Sequence, residues 1–170
     1  RAMYEKTFST DPSRASAPPS LRPVVMGHRH MVSAGHYLAA EAGFRILEAG
    51  GNAIDAGVAA GIALGVVHSD LVNFAGVAPI VIRLAKTKEV VTIDGLGVWP
   101  KAISLDLFVN EHGGAIPPGI LRTIVPAAPD SWLTALERFG TMSFGEVASD
   151  AIRFARDGFA MHALMAELIR

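Results

Sequence analysis

Residues 45–65, RILEAGGNAIDAGVAAGIALG, constrain the fold of this chain more than any other stretch. The paired glycines at 50 and 51 stop one helix. Asn52 is placed to cap the next, with Asp55 at its third helical position. The new helix then carries Gly57, Gly61 and Gly65 four residues apart, which puts all three on one face. A glycine inside a helix costs about 1 kcal/mol against alanine. Three on one stripe therefore predict a helix pressed close against a neighbour. The stripe lies within the helix rather than ahead of it, and no strand–loop unit precedes it, so it is read as packing and not as a phosphate cradle. Asn52 and Asp55 are read as caps, not as catalysts.

Around this core the hydrophobic spacing predicts a helix over residues 36–49, with Leu38, Ala42, Ile46 and Leu47 at helical intervals, and a second over 53–66. Two β-branched apolar runs, 80–84 and 90–93, flank the turn Lys86-Thr87-Lys88 and predict a hairpin. Their nearly continuous apolar character predicts strands covered on both faces. Residues 95–129, with Pro100, Pro117, Pro118, Pro126 and Pro129, read as loop. A helix follows at 132–139. Ser143 and Glu146 form a capping box for one running to Arg156, and another begins at Ala163. Helices, a strand pair and helices again make the fold class α+β. Residues 1–30, with Pro12, Pro18, Pro19 and Pro23, read as an extended arm before a body spanning 31–170.

Composition narrows the function. The chain is 51% hydrophobic and 18% charged, so its apolar faces call for cover by a larger assembly. A membrane span is the first alternative, but the longest apolar run, 56–67, falls short of the roughly 20 residues a spanning helix needs. With a net charge of −1 and no basic block, nothing points to nucleic acid. No cysteine is present, which removes disulfides and thiol chemistry. Residues 1–30 lack the apolar core of a secretory signal, which favours the cytoplasm without assigning a compartment. His28, His30 and His36 form no metal-binding pattern, because no carboxylate follows at a useful spacing. His68-Ser69-Asp70 has the residue types of a hydrolase triad, but a triad is assembled from separated segments, and the trio reads as a polar loop. Neither a metal nor a cofactor is expected.

Gly50-Gly51-Asn52-Ala53-Ile54-Asp55-Ala56 resembles the GGNAxDA signature of the gamma-glutamyltranspeptidase family of N-terminal nucleophile hydrolases. The resemblance extends upstream over Ala39-Ala40-Glu41-Ala42-Gly43-Phe44-Arg45-Ile46-Leu47. Downstream, Ile124-Val125-Pro126 sits in the place of the family's V-P-G turn. Phe139-Gly140 and residues 151–159 match its G…AI-x-x-A-x-x-G-F pattern. The match runs in unbroken order over roughly 31–170. It implies an αββα sandwich, of which this chain supplies part. It also implies amide chemistry by a threonine that opens a second chain after self-cleavage, its own amine serving as base. That nucleophile is not identifiable here, so no catalytic residue is assigned to this chain. The implied partners are the remaining large-subunit segment, the small subunit and a small-molecule amide.

Two family motifs that line the acyl pocket are altered. The family has D-x-R-E-x-A-P after the second strand, where the arginine binds the α-carboxylate of the glutamyl group. Here the segment is Asp94-Gly95-Leu96-Gly97-Val98-Trp99-Pro100, with Leu96 in the arginine's place and Gly97 in the glutamate's. The family's glycine-rich run reads here Val72-Asn73-Phe74-Ala75-Gly76-Val77-Ala78-Pro79, with only Gly76 in an equivalent position. The candidate substrate-binding residues are therefore Leu96, Gly97, Val98, Trp99, Asn73 and Gly76. Trp99 is equally readable as a core or interface aromatic. Without a guanidinium the bidentate carboxylate clamp is lost, so the expected substrate is an amide whose acyl group is not gamma-glutamyl. A true gamma-glutamyl transferase or glutathione hydrolase is the second expectation, and a non-catalytic ligand-binding family member the third. The arm is expected to take no part in catalysis. Deleting residues 1–20 from the complete protein should leave turnover nearly unchanged, and a large fall with folding intact would place the arm at the site.

Overall fold

The computed structural model describes residues 25–169. Pro12, Pro18, Pro19 and Pro23 of the expected arm lie outside the described residues. Within them, Arg29 and His30 lie against the first helix, both reaching the Glu48 carboxylate, at 3.0 and 2.8 Å.

Helices α1 (Tyr37–Glu48) and α2 (Ala53–Val67) form the expected pair around Gly50-Gly51. The chain turns at Gly50 with φ +95°, a conformation only glycine adopts without strain. Asn52 Oδ1 accepts the Ile54 and Asp55 N–H groups at 2.7 and 3.1 Å, and the Asp55 carboxylate accepts the Asn52 N–H at 2.8 Å. This reciprocal box satisfies the first donors of α2. It also reaches across the molecule. Asn52 Nδ2 donates to the Phe139 carbonyl at 2.7 Å. Asp55 accepts the Thr141 N–H at 2.9 Å, the Thr141 hydroxyl at 2.6 Å and the Met142 N–H at 3.3 Å. The Asp55 side chain is fully buried.

Helix α2 is the central rod, packed against α1, α4 (Ala128–Phe139), α5 (Phe144–Val147) and α6 (Ser149–Asp157). Its buried residues, from Ala56 and Val58 to Ile62, Ala63 and Val67, cover a little more than half of its circumference, and the glycine stripe lies on the remaining face. The glycine stripe divides three ways. A Cβ at Gly61 would stand 3.0 Å from the Trp132 indole nitrogen, and one at Gly65 would stand 3.4 Å from the Phe74 backbone nitrogen. Gly57 has nothing within 4 Å and faces an open groove, so the expectation of close packing fails there. The tightest approach of α1 to α2 falls instead at Gly43 of α1, where a Cβ would meet the Ala56 carbonyl oxygen at 2.8 Å.

Three expectations are corrected. Residues 95–129 are not all loop: α3 (Leu105–His112) forms there, with the Ser104 hydroxyl accepting the Leu107 N–H. Only Phe108 of α3 is buried, so it carries almost no apolar periodicity to read. The helix expected from 143 to 156 bends at Ala148, whose ψ of −6° separates α5 from α6. The bend lets Val147, Ala151 and Phe154 all enter the core. The hairpin β1 (Ile80–Arg83) and β2 (Val90–Ile93) is antiparallel, pairing Ile80 with Ile93 and Arg83 with Val90. Only one of its faces is covered among the described residues: Ile82 is buried, while Val81 and Val90 are exposed. The last helix, α7, spans Ala163–Ile169. No described helix is long and apolar enough to cross a membrane.

Burial alone would raise the Asp55 carboxyl, but the Thr141 hydroxyl and the Asn52, Thr141 and Met142 N–H groups outweigh it, and its pKa ends below the ordinary value. A depressed carboxyl stabilises the fold above its unfolded pKa, near 3.9, and loses that contribution as pH falls through the folded value. Asp55→Ala should destabilise the complete protein by roughly 3 kcal/mol or more, since it strands several buried donors. The gap between wild type and Asp55→Asn in denaturant unfolding should hold from neutral pH down to about 4 and shrink below it. A gap of the same size at every pH would contradict this assignment.

Candidate functional site

The segments that carry the altered pocket motifs are stitched together by backbone hydrogen bonds. The Gly76 carbonyl accepts the Ala127 and Ala128 N–H groups at 3.2 and 3.1 Å. Ala78 N–H donates to the Gly95 carbonyl at 2.9 Å, and Val125 N–H to the Val98 carbonyl at 2.8 Å. The buried Ser131 hydroxyl closes the set by donating to the Ala78 carbonyl at 2.8 Å. Gly76 and Val98 thus take part in one set of bonds that joins the loop before β1, the loop after β2 and the start of α4. Asn73 shapes the first of these loops through its carbonyl, which accepts the Gly76 N–H at 3.1 Å.

Gly97 has φ +81°, and a Cβ there would collide with the Val125 carbonyl oxygen. A glutamate at this position is incompatible with the loop as it stands. Leu96 beside it is half exposed. Trp99 leaves the network and packs at a tilt against Phe108 of α3, ring centres 5.2 Å apart, in a shallow recess with Ile116 and Arg122. Its role within these residues is to seat α3.

A larger groove of about 570 Å³ runs between α2, α4 and β1, lined by Gly57, Gly61, Val77, Ile82, Trp132 and Ala135 among others. None of the six candidate residues lines it. Its lining is mostly apolar, with Arg83 at its edge, and it holds no acid–base pair, so it offers surface to bury rather than chemistry.

The sequence reading missed a second polar cluster. Helix α2 ends at His68, whose Nδ1 lies 2.7 Å from Asp70 Oδ1, and His162 Nε2, just before α7, lies 3.3 Å from the same His68 nitrogen. His68 and Asp70 are therefore a bonded pair rather than a plain polar loop, while Ser69 is exposed and takes no part. His36 is close by, its ring centre 5.9 Å from that of His162, but its Nδ1 is occupied in capping α1. Burial, then the neighbouring His162 and His68, hold His36 below its ordinary pKa. Burial works to raise Asp70, but the His68 hydrogen bond, its own N–H and the two imidazoles bring it below the usual value. His28, His30 and His36 are not brought together: His30 pairs with Glu48, and His36 faces His162.

The Gamma-glutamyltranspeptidase family model matches residues 39–170. The Glutathione hydrolase-like YwrD proenzyme of Bacillus subtilis is 37% identical over 141 residues, 82% of this chain and 26% of that protein. The Acylase ACY 1 proenzyme of a Pseudomonas species is 36% identical over 155 residues, 84% of this chain and 27% of that protein. The crystal structure of Helicobacter pylori gamma-glutamyltranspeptidase superposes with a TM-score of 0.77 at 33% identity, covering 85% of this chain and 42% of that one. The architecture is accordingly α+β, part of an N-terminal nucleophile hydrolase sandwich. The chain belongs to the gamma-glutamyltranspeptidase family. It spans about a quarter of the length of the curated relatives it matches.

The loop geometry separates two neighbouring substitutions. Gly97→Ala should destabilise the complete protein by more than about 1 kcal/mol, because alanine is strained at positive φ and has no room. Leu96→Arg, on a half-exposed side chain, should change stability by no more than about 0.5 kcal/mol. Equal losses in thermal unfolding would contradict the assignment of Gly97 as the constrained residue.

Proposed function

We propose that the complete protein hydrolyses an amide bond, with a nucleophilic threonine on a separate chain, and that residues 31–170 supply scaffold and part of the acyl-pocket wall. Leu96 carries the specificity side of the proposal. It stands where the family resemblance implies an arginine clamp, on a loop held by the Val98–Val125 and Ala78–Gly95 hydrogen bonds. A glutamyl α-carboxylate beside Leu96 would lose its solvation without gaining a guanidinium. The acyl group preferred is therefore one without that carboxylate. The relative named as an acylase, 36% identical to this chain, supports this reading.

The exposed outer face of the hairpin and the apolar groove between α2, α4 and β1 call for cover. The covering partners are the remaining large-subunit segment and the small subunit. That both matched relatives are named proenzymes supports an origin by self-cleavage.

A second reading, a gamma-glutamyl transferase or glutathione hydrolase, is favoured by the 37% identity to a glutathione hydrolase-like protein. It requires an arginine from elsewhere as the clamp. The two readings separate in kcat/KM for a gamma-glutamyl amide against a simple acyl amide with the same leaving group. The first expects the simple acyl amide to be preferred. A preference of about 100-fold for the glutamyl amide, nearly 3 kcal/mol of transition-state binding, would mean that a clamp exists and that Leu96 has been misread.

A further inference from the structure

The His68, Asp70 and His162 side chains converge from two segments 94 residues apart. His68 Nδ1, Asp70 Oδ1 and His162 Nε2 form a triangle with sides of 2.7, 3.3 and 3.8 Å. We propose that this triangle is a binding site for a divalent transition metal of the zinc type, held by two imidazoles and one carboxylate, that ties the end of α2 to the segment entering α7.

Three ligands of one tetrahedral zinc at about 2.1 Å stand about 3.4 Å apart. The 3.3 and 3.8 Å sides are close to that, and the 2.7 Å His68–Asp70 hydrogen bond has to open by less than about 1 Å to admit the ion. The donor set, two imidazole nitrogens and a carboxylate oxygen, is one that zinc and its neighbours in the first transition row accept, leaving a fourth position for water. The Asp70 side chain is 1% exposed, and its Oδ2 has no hydrogen-bond partner among the described residues. That leaves the buried carboxylate short of donors, and a cation bound at Oδ1 offsets its charge. The His162 side chain, 30% exposed, keeps one side of the site open to solvent as an entry path.

Protons alone leave the triangle frustrated. His162 Nδ1 accepts the Met165 N–H at 3.2 Å, so a neutral His162 carries its proton on Nε2, facing His68 Nδ1. If His68 Nδ1 donates to the Asp70 carboxylate, two N–H donors face each other. If it does not, its lone pair faces the carboxylate. A cation at the centre satisfies all three atoms at once. His162 must then hold its proton on Nδ1 and release the Met165 N–H, so metal binding is coupled to the first turn of α7. His36 is not a ligand: the donor atoms of His68, Asp70 and His162 all lie within 4.8 Å of one another, and His36 is not among them.

The test is metal content and spectroscopy on the complete protein. After stripping with chelator, incubation with zinc and dialysis, wild type should retain about one equivalent that His162→Gln and Asp70→Asn lose, with affinity lowered roughly 100-fold or more. Cobalt(II) substituted into wild type should give the intense visible bands of a four-coordinate nitrogen–oxygen site, and amide exchange at Met165 should speed up on loading. Wild-type protein that retains no zinc, or equal retention in both variants, would overturn the proposal. Should a variant fail to fold, the cobalt spectrum and the Met165 exchange of wild type decide alone: octahedral cobalt bands and unchanged exchange would also overturn it.

Discussion

The Asp55 carboxylate gathers donors from Asn52, Thr141 and Met142, joining two segments 86 residues apart at a fully buried point. Everything else in the arrangement leans on that junction. It fixes where α2 begins and where α4 ends, and so sets how Trp132 meets Gly61. It also leads directly into Ser143, whose own capping box starts α5. A buried carboxylate is expensive unless its lone pairs are filled. Here they are filled by backbone N–H groups and one hydroxyl, so the charge serves as a connector. The Gly-Gly-Asn-Ala-Ile-Asp-Ala run is thus a structural knot: the glycines turn the chain, Asn52 caps α2 and grips Phe139, and Asp55 holds the far loop.

From this knot the pocket loops follow at one remove. Helix α4 begins at Ala128, whose N–H, with that of Ala127, is held by the Gly76 carbonyl, and Ser131 one turn later grips the Ala78 carbonyl. The loop before β1 is therefore fastened to the same helix that the Asp55 junction terminates. The loop after β2 is fastened in turn through Gly95 and Val98. A loop built this way changes its side chains more readily than its path. Leu96 is half exposed and free to vary, while Gly97 is locked by its positive φ and the Val125 carbonyl.

Much of this was legible in the sequence because local rules governed it. The Asn52–Asp55 and Ser143–Glu146 boxes, the Gly50-Gly51 turn and the hairpin all arise from residues within a few positions of one another. What stayed hidden needed long-range knowledge. Nothing near Asp55 announces Thr141, and nothing near His68 announces His162, because neither partner lies within one turn or one strand pair. Helix α3 escaped because one buried residue, Phe108, makes no periodic pattern, and the surrounding prolines suggested loop. The apolar hairpin suggested cover on both faces. Only one is covered among the described residues. The glycine stripe was right in kind at Gly61 and Gly65 and wrong at Gly57, which faces the groove.

The six candidate pocket residues came from aligned motifs rather than from any local rule. The structure joins Gly76 and Val98 through one set of backbone hydrogen bonds, sets Gly97 against the Val125 carbonyl, and leaves Trp99 outside, against Phe108. The proposed division of labour gives residues 31–170 to scaffold and pocket wall and the nucleophile to another chain. The most direct test is to treat the complete, purified protein with an amide-directed electrophile and to determine the mass and N-terminal sequence of the labelled chain. The account predicts a label on a threonine that is the first residue of a separate chain and lies outside residues 1–170. A label on any residue within 1–170, or a labelled protein that has never been cleaved, would contradict it.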